Sequence, residues 1–192
     1  MTVEELEAKI NASGKPYHFK VKNKVSADIK RYAKQIEANN ILGFVEGSDF
    51  KDEIIVVTAH YDHIGTIGKN INNGADDNGS GTAAVLEMAQ AFKKAAIEGH
   101  GPKRSVVFLH LTGEEVNLTG SRYYTKYPIF SMKNTVANLN IEMIGRVDEA
   151  HIDNENYIYV IGADRLSTEL HYISEMANSE FTNLELDYKL NS

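Results

Sequence analysis

The segment Ile54-Ile55-Val56-Val57-Thr58-Ala59, inside an apolar run over residues 53–60, constrains this chain more than any other feature. Rich in β-branched residues and nearly unbroken by polar ones, it suits a strand buried on both faces. Such a strand needs a layer of other structure on each side. A second run of the same kind occupies residues 105–111, and between the two Val85, Met88, Ala89 and Phe92 recur at helical spacing within residues 80–97. Buried strands alternating with amphipathic helices specify an α/β fold whose sheet is covered on both faces.

The rest of the chain continues the alternation. Helices are predicted over residues 3–10, 118–127 and 167–177, and strands over residues 136–142, 157–161 and 184–188. Thr2 and Glu5 have the spacing of a capping box at the first helix. Residues 17–47 tend toward period two, with Val25, Ala27 and Ile29 on one face and Ile41, Leu42, Phe44 and Val45 after an Asn39-Asn40 turn, which reads as a pair of strands. We divide the chain into an N-terminal helix and linker arm, residues 1–24, and one domain, residues 25–192. The sequence stops at Ser192 directly after a strand-like segment, so the expectation is a domain incomplete at its C-terminal end.

Composition removes several function classes. The absence of cysteine excludes disulfide scaffolds and zinc-thiolate sites and leaves the redox compartment open. Twenty Lys+Arg against 27 Asp+Glu give a net charge of −7, and the basic residues are scattered, which argues against a nucleic-acid partner. The N-terminus is polar, without the apolar core of a secretory signal, and no window approaches the length of a membrane span. Asn-x-Ser/Thr triplets at Asn11, Asn78 and Asn117 read as chance occurrences.

Four acidic or imidazole clusters fall at or just after the predicted strand ends: His60-Tyr61-Asp62-His63, Asp76-Asp77, Glu114-Glu115 and Glu142. That edge is where open α/β sheets build their sites. His60 can offer one ring nitrogen to a metal while the Asp62 carboxylate accepts from the other; a surface histidine beside a solvated aspartate is the plainer reading. The loop Gly74-Ala75-Asp76-Asp77-Asn78-Gly79-Ser80-Gly81 matches no phosphate-binding pattern, and its adjacent carboxylates would repel a phosphate. It suits a cation, or else a turn capped by Ser80. Glu115 has capping-box spacing from Thr112, but the Glu114-Glu115 pair can also divide labour, one binding metal and the other taking a proton from water. Zinc lowers the pKa of water to about 7, so a neighbouring carboxylate can act as a base near neutrality. Glu142 interrupts an apolar strand; it faces solvent if that strand is an edge, and calls for a metal partner if the strand is central. Taken together, these oxygen and imidazole donors suit zinc, or cobalt or manganese in its place.

The motifs AHYDHIG, NNGADDNGSGTAAVLEMA, RSVVFLHLTGEEVNLTGSRYY and ANLNIEMIGR resemble, in order and spacing over residues 40–146, those of the bacterial zinc aminopeptidases of the leucyl aminopeptidase and aminopeptidase Y type. Glutamate carboxypeptidase II and the transferrin receptor ectodomain are more distant relatives of that family. The resemblance implies a three-layer α/β/α sandwich of the zinc-exopeptidase type around a mostly parallel, mixed central sheet. It implies a hydrolase that removes N-terminal residues from peptides with two zinc ions. By the same resemblance His60 binds one zinc, Asp77 bridges both, Glu115 binds the other and Glu142 completes the first. Glu114 is then the general base, Asp62 orients His60, and His63 has no implied ligand role. A cis peptide is implied at Asp77-Asn78.

Two departures matter. The family often has aspartate where Glu142 stands. It also needs a second histidine ligand late in the domain, near a Ser-Asp-His motif that is absent here; His100, His110, His151 and His171 occur in other contexts. The expectation is therefore one complete metal site, a second short of a ligand, and a chain that is inactive as given. Export of the full-length protein to the periplasm or the extracellular space is implied by the family. A carboxypeptidase or dipeptidase of the same fold is the nearest alternative, followed by a one-zinc cyclase and a non-catalytic interaction domain.

Overall fold

A reciprocal pair of hydrogen bonds starts the first helix, α1 (Val3–Ser13): Thr2 Oγ1 accepts from the Glu5 N–H at 3.2 Å, and Glu5 Oε2 accepts from the Thr2 N–H at 2.9 Å. This is the expected capping box, and it satisfies donors that a helix start otherwise leaves unpaired. Gly14, at φ 62, ends the helix by donating its N–H to the Ile10 carbonyl. The computed structural model describes residues 1–18, 26–30 and 35–191, and divides into two compact units, Met1–Ile36 and Glu37–Ser192. Of the strand pair expected over residues 17–47, residues 26–30 form no strand, and Val25 lies outside the described residues.

The second strand of that pair exists as β1 (Ile41–Val45). The long apolar run follows as β2 (Phe50–His60), and a short hairpin, β3 (Gly65–Ile67) and β4 (Asn70–Asn72), leads to helix α2 (Gly79–Ile97). Next come β5 (Arg104–Leu111), α3 (Thr119–Lys126) and β6 (Thr135–Asn140). The sheet order is β1-β5-β2-β6, with β2 parallel to both neighbours and β1 antiparallel to β5. The chain is thus an α/β protein with a mixed, mostly parallel central sheet.

Alternation along each strand sorts the core into two layers, because successive side chains point to opposite faces. On one face Val57, Ala59, Val106 and Phe108 pack with Val85 of α2; on the other Ile54, Val56, Val107 and Leu109 pack with Tyr124 of α3. One helix on each face explains why β2 and β5 read as continuous apolar runs: both sides of each strand are dry.

A smaller parallel pair follows, β7 (Tyr157–Tyr159) and β8 (Glu185–Asp187), joined through α4 (Ala163–Leu166) and α5 (Thr168–Ala177). The predicted strands at residues 157–161 and 184–188 therefore pair with each other and not with the main sheet. His151 braces this pair. Its ring stacks on Tyr157 at 3.6 Å, Nδ1 lies 2.9 Å from Asp148 Oδ1, and Nε2 lies 3.3 Å from Asp187 Oδ2. No helix among the described residues is long and apolar enough to cross a membrane.

Candidate metal centre

Parallel strands carry their chemistry to one edge. His60 is the last residue of β2, Glu114 and Glu115 lie in the turn after β5, and Glu142 lies two residues beyond β6. Asp77 comes to the same edge from the loop before α2, whose N-cap is Asn78 and not Ser80. The edge so assembled contains two donor groups that share one residue: His60, Asp77 and Glu142, and His63, Asp77 and Glu115.

In the first group His60 Nε2 lies 3.1 Å from Asp77 Oδ1 and 3.0 Å from Glu142 Oε1. The ring is nearly inaccessible, and its other nitrogen, Nδ1, lies 2.9 Å from the backbone carbonyl of Asp62. The Asp62 carboxylate is 3.7 Å from Nδ1, too far for a hydrogen bond, and instead accepts the Glu114 N–H at 3.1 Å. Asp62 thus orients the imidazole through its main chain, while its side chain fixes the turn that carries Glu114. Asn140 donates to Glu142 Oε2 at 3.3 Å, with the Thr58 hydroxyl donating to Asn140 Oδ1 at 2.7 Å behind it. Glu142 itself is not inside an apolar strand: β6 ends at Asn140, and β6 is an edge strand of the sheet among the described residues.

In the second group Asp77 turns its other oxygen, Oδ2, toward His63 Nδ1 at 3.7 Å, and Glu115 Oε1 lies 2.8 Å from the same nitrogen. The helix α3 begins only at Thr119, so Thr112 and Glu115 form no capping box. The Asp77-Asn78 peptide is cis, as the resemblance implied.

The residues flanking Asp77 hold the centre together, a role that spacing alone did not reveal. Asp76 Oδ1 accepts from the Gly145 N–H at 2.7 Å and from the Ser80 hydroxyl at 3.1 Å. Asn78, 1% exposed, accepts from the N–H groups of Gly81 and Met143 at 3.1 and 3.3 Å and donates to the Ile141 carbonyl at 2.9 Å. Both neighbours of Asp77 therefore tie its loop to the segment bearing Glu142. Burial of Asn78 also agrees with its glycosylation triplet being a chance one. Asn78→Ala should destabilise the fold by about 1–3 kcal/mol, because it leaves buried polar groups unpaired. A urea midpoint unchanged from that of the parent would contradict this role.

Burial alone would push the His60 imidazole down, but the Glu142 carboxylate, by hydrogen bond and charge, and Glu114 beyond it hold it above its ordinary value. The Glu114 carboxyl is raised, first by burial and then by Glu115, Glu142 and Asp77, against the pull of His60. Four carboxylates in one small volume repel one another, and two imidazoles answer them only in part. A cation would relieve that repulsion and reverse the Glu114 shift. Glu114, His60 and Glu142 line one side of a cavity of about 340 Å³ whose other walls include Leu109, Leu118 and Tyr124.

A model of the family described as Peptidase family M28 matches residues 40–187. The chain belongs to peptidase family M28. It is 33% identical over 110 residues to Aminopeptidase YwaD of Bacillus subtilis (strain 168), covering 56% of this chain and 22% of that protein. It is 31% identical over 132 residues to a probable zinc metalloprotease of Pyrenophora teres f. teres (strain 0-1), covering 65% of this chain and 26% of that protein. The aminopeptidase from Aneurinibacillus sp. strain AM-1 has the same fold, with a TM-score of 0.58 at 20% identity over 78% of this chain and 34% of that one. The chain spans about a quarter of the length of these two curated relatives, and about a tenth of the vacuolar membrane proteases it also matches.

Three further histidines make other contacts. His110, within β5, approaches the Thr82 carbonyl at 3.1 Å, and His171 approaches Glu175 at 3.5 Å. His151 belongs to the β7-β8 pair. The histidine that the centre does gather is His63, three residues beyond His60, in the position to which the resemblance assigned no ligand role.

Proposed function

We propose that this chain carries the metal centre of a zinc-dependent exopeptidase that hydrolyses the N-terminal peptide bond of peptides. The observation that carries the reading is the pair of His/Asp/Glu groups sharing Asp77, with Glu114 beside them. The donor set fits zinc: imidazole nitrogens and carboxylate oxygens, no thiolate, and two apposed atoms, His63 Nδ1 and Glu115 Oε1, that are shielded from solvent without a hydrogen bond. His60, Asp77 and Glu142 would hold one ion, and Asp77 and Glu115 the other. When bound, zinc supplies a Lewis acid for the scissile carbonyl and makes water a better acid near neutral pH.

The chain's own residues do the rest. Glu114, the general base, takes the proton of the attacking water and later returns it to the leaving amine. Asp62 holds the Glu114 turn by its carboxylate and the His60 ring by its carbonyl, so base and ligand keep one geometry. Export of the full-length protein is proposed on the family resemblance.

The test is metal content together with substrate polarity. The full-length protein should contain zinc, lose activity to a chelator and release chromophore from aminoacyl anilides with a free amino group. Hydrolysis confined to blocked peptides at their carboxyl end would favour the carboxypeptidase alternative. A metal-free, inactive protein after zinc addition would end the reading.

A further inference from the structure

We propose that Thr82 and His110 are positioning residues that hold the backbone of His60 in place from beneath the centre. This rests on the reading that His60 binds metal. His60 is the last residue of β2, and its carbonyl has lost the partner that the sheet would give it. Two residues back, the Thr58 carbonyl accepts the Ile141 N–H at 2.8 Å. The next N–H in step, that of Met143, goes instead to Asn78 Oδ1 at 3.3 Å. The Thr82 hydroxyl fills the gap, donating to the His60 carbonyl at 2.8 Å. His110 holds Thr82 in turn, with Nε2 3.1 Å from the Thr82 carbonyl. A carbonyl only accepts, so Nε2 carries the proton.

Packing alone does not ask for a histidine at this place. Val106, Phe108 and His110 alternate along β5 onto one face, where the first two join a core with Val85 of α2. His110, 7% exposed, is costly there unless its polar atoms are used, and the bond to Thr82 uses one of them. The two bonds join three elements that each bring a residue to the centre. β2 ends in His60, β5 leads into the turn of Glu114, and α2 follows the loop of Asp77. The Thr82 N–H also donates to the Asn78 carbonyl at 2.9 Å, so one threonine grips the cis-peptide loop and the ligand strand together. The Asp62 carbonyl fixes the His60 ring from one side, and Thr82 fixes its main chain from the other.

The experiment is competition for Zn2+ between the full-length protein and a chromogenic chelator, across two pairs of variants. Thr82→Val and His110→Leu keep the bulk and lose the donor; each should weaken zinc binding by about 10–100-fold. Thr82→Ser and His110→Gln place a donor at the same reach and should restore most of that affinity. Combining Thr82→Val with His110→Leu should cost no more than Thr82→Val alone, because His110 acts through Thr82. As a readout independent of any variant's folding, 15N-histidine spectra of the parent should show His110 as the Nε2-protonated tautomer. Parental zinc affinity in folded Thr82→Val or His110→Leu, no recovery in Thr82→Ser and His110→Gln, or an Nδ1-protonated His110 would each overturn the proposal and leave the enzyme reading standing. No zinc bound by the parent would remove both.

Discussion

Glu114→Gln should lower hydrolysis of an aminoacyl anilide by the full-length protein by about 10²–10⁴, with zinc content unchanged. Among the four carboxylates of the centre, Glu114 alone has no ion pair among the described residues: Asp77 and Glu142 face His60, and Glu115 faces His63. It is the carboxylate left free to move a proton. Its position does not depend on its charge, because the Asp62 carboxylate grips the backbone N–H of residue 114. Glutamine keeps the shape and removes the basicity. The pH profile provides a second readout. A base must be ionised to act, so the rate should fall as acid pH protonates the Glu114 carboxylate, and that acid limb should vanish in the variant. Full activity in Glu114→Gln would dismiss Glu114 as the base, and loss of zinc would instead place it among the ligands.

The elements that bury their side chains were the legible ones. β2, α2 and β5 announce themselves through β-branched runs and a helical stripe, because two-sided burial leaves no room for polar interruptions. The hairpin Gly65–Asn72 went unread: its strands are three residues each, with every residue but Asn72 exposed, so no alternation marks them. Glu142 was expected inside a strand because apolar residues continue past Asn140, but the ladder stops where Asn78 and Asp76 capture the backbone of residues 141–145. Site residues were found from their place after strand ends. His63 was read in the first of the strand-end clusters, without a ligand role, and the close approach of Gly74 to it, where a Cβ would fall 2.7 Å from His63 Cβ, carried no signal in the sequence.

Asp77→Asn should separate a metal centre from a set of structural ion pairs, because the two predict opposite signs. As the shared ligand, Asp77 turns Oδ1 to His60 and Oδ2 to His63. An amide keeps one oxygen, whose lone pairs are neutral, and replaces the other with a nitrogen that donates hydrogen bonds and cannot ligate. Zinc binding should fall from about two equivalents to less than one at micromolar metal, and the zinc-induced rise in Tm should be lost with it. Without metal the effect should reverse. In the metal-free chain Asp77, Glu114, Glu115 and Glu142 crowd four carboxylates into one small volume with no cation among them. Removing one of these charges should stabilise the metal-free chain by about 1 kcal/mol, or about 2–4 °C for a chain of this length. If His60-Asp77 were instead an ion pair that holds the fold, the metal-free variant would melt below its parent. Calorimetry of both proteins with and without zinc reads all four states, and a lower metal-free Tm in Asp77→Asn would refute the view that the fold tolerates this carboxylate crowd in order to bind cations.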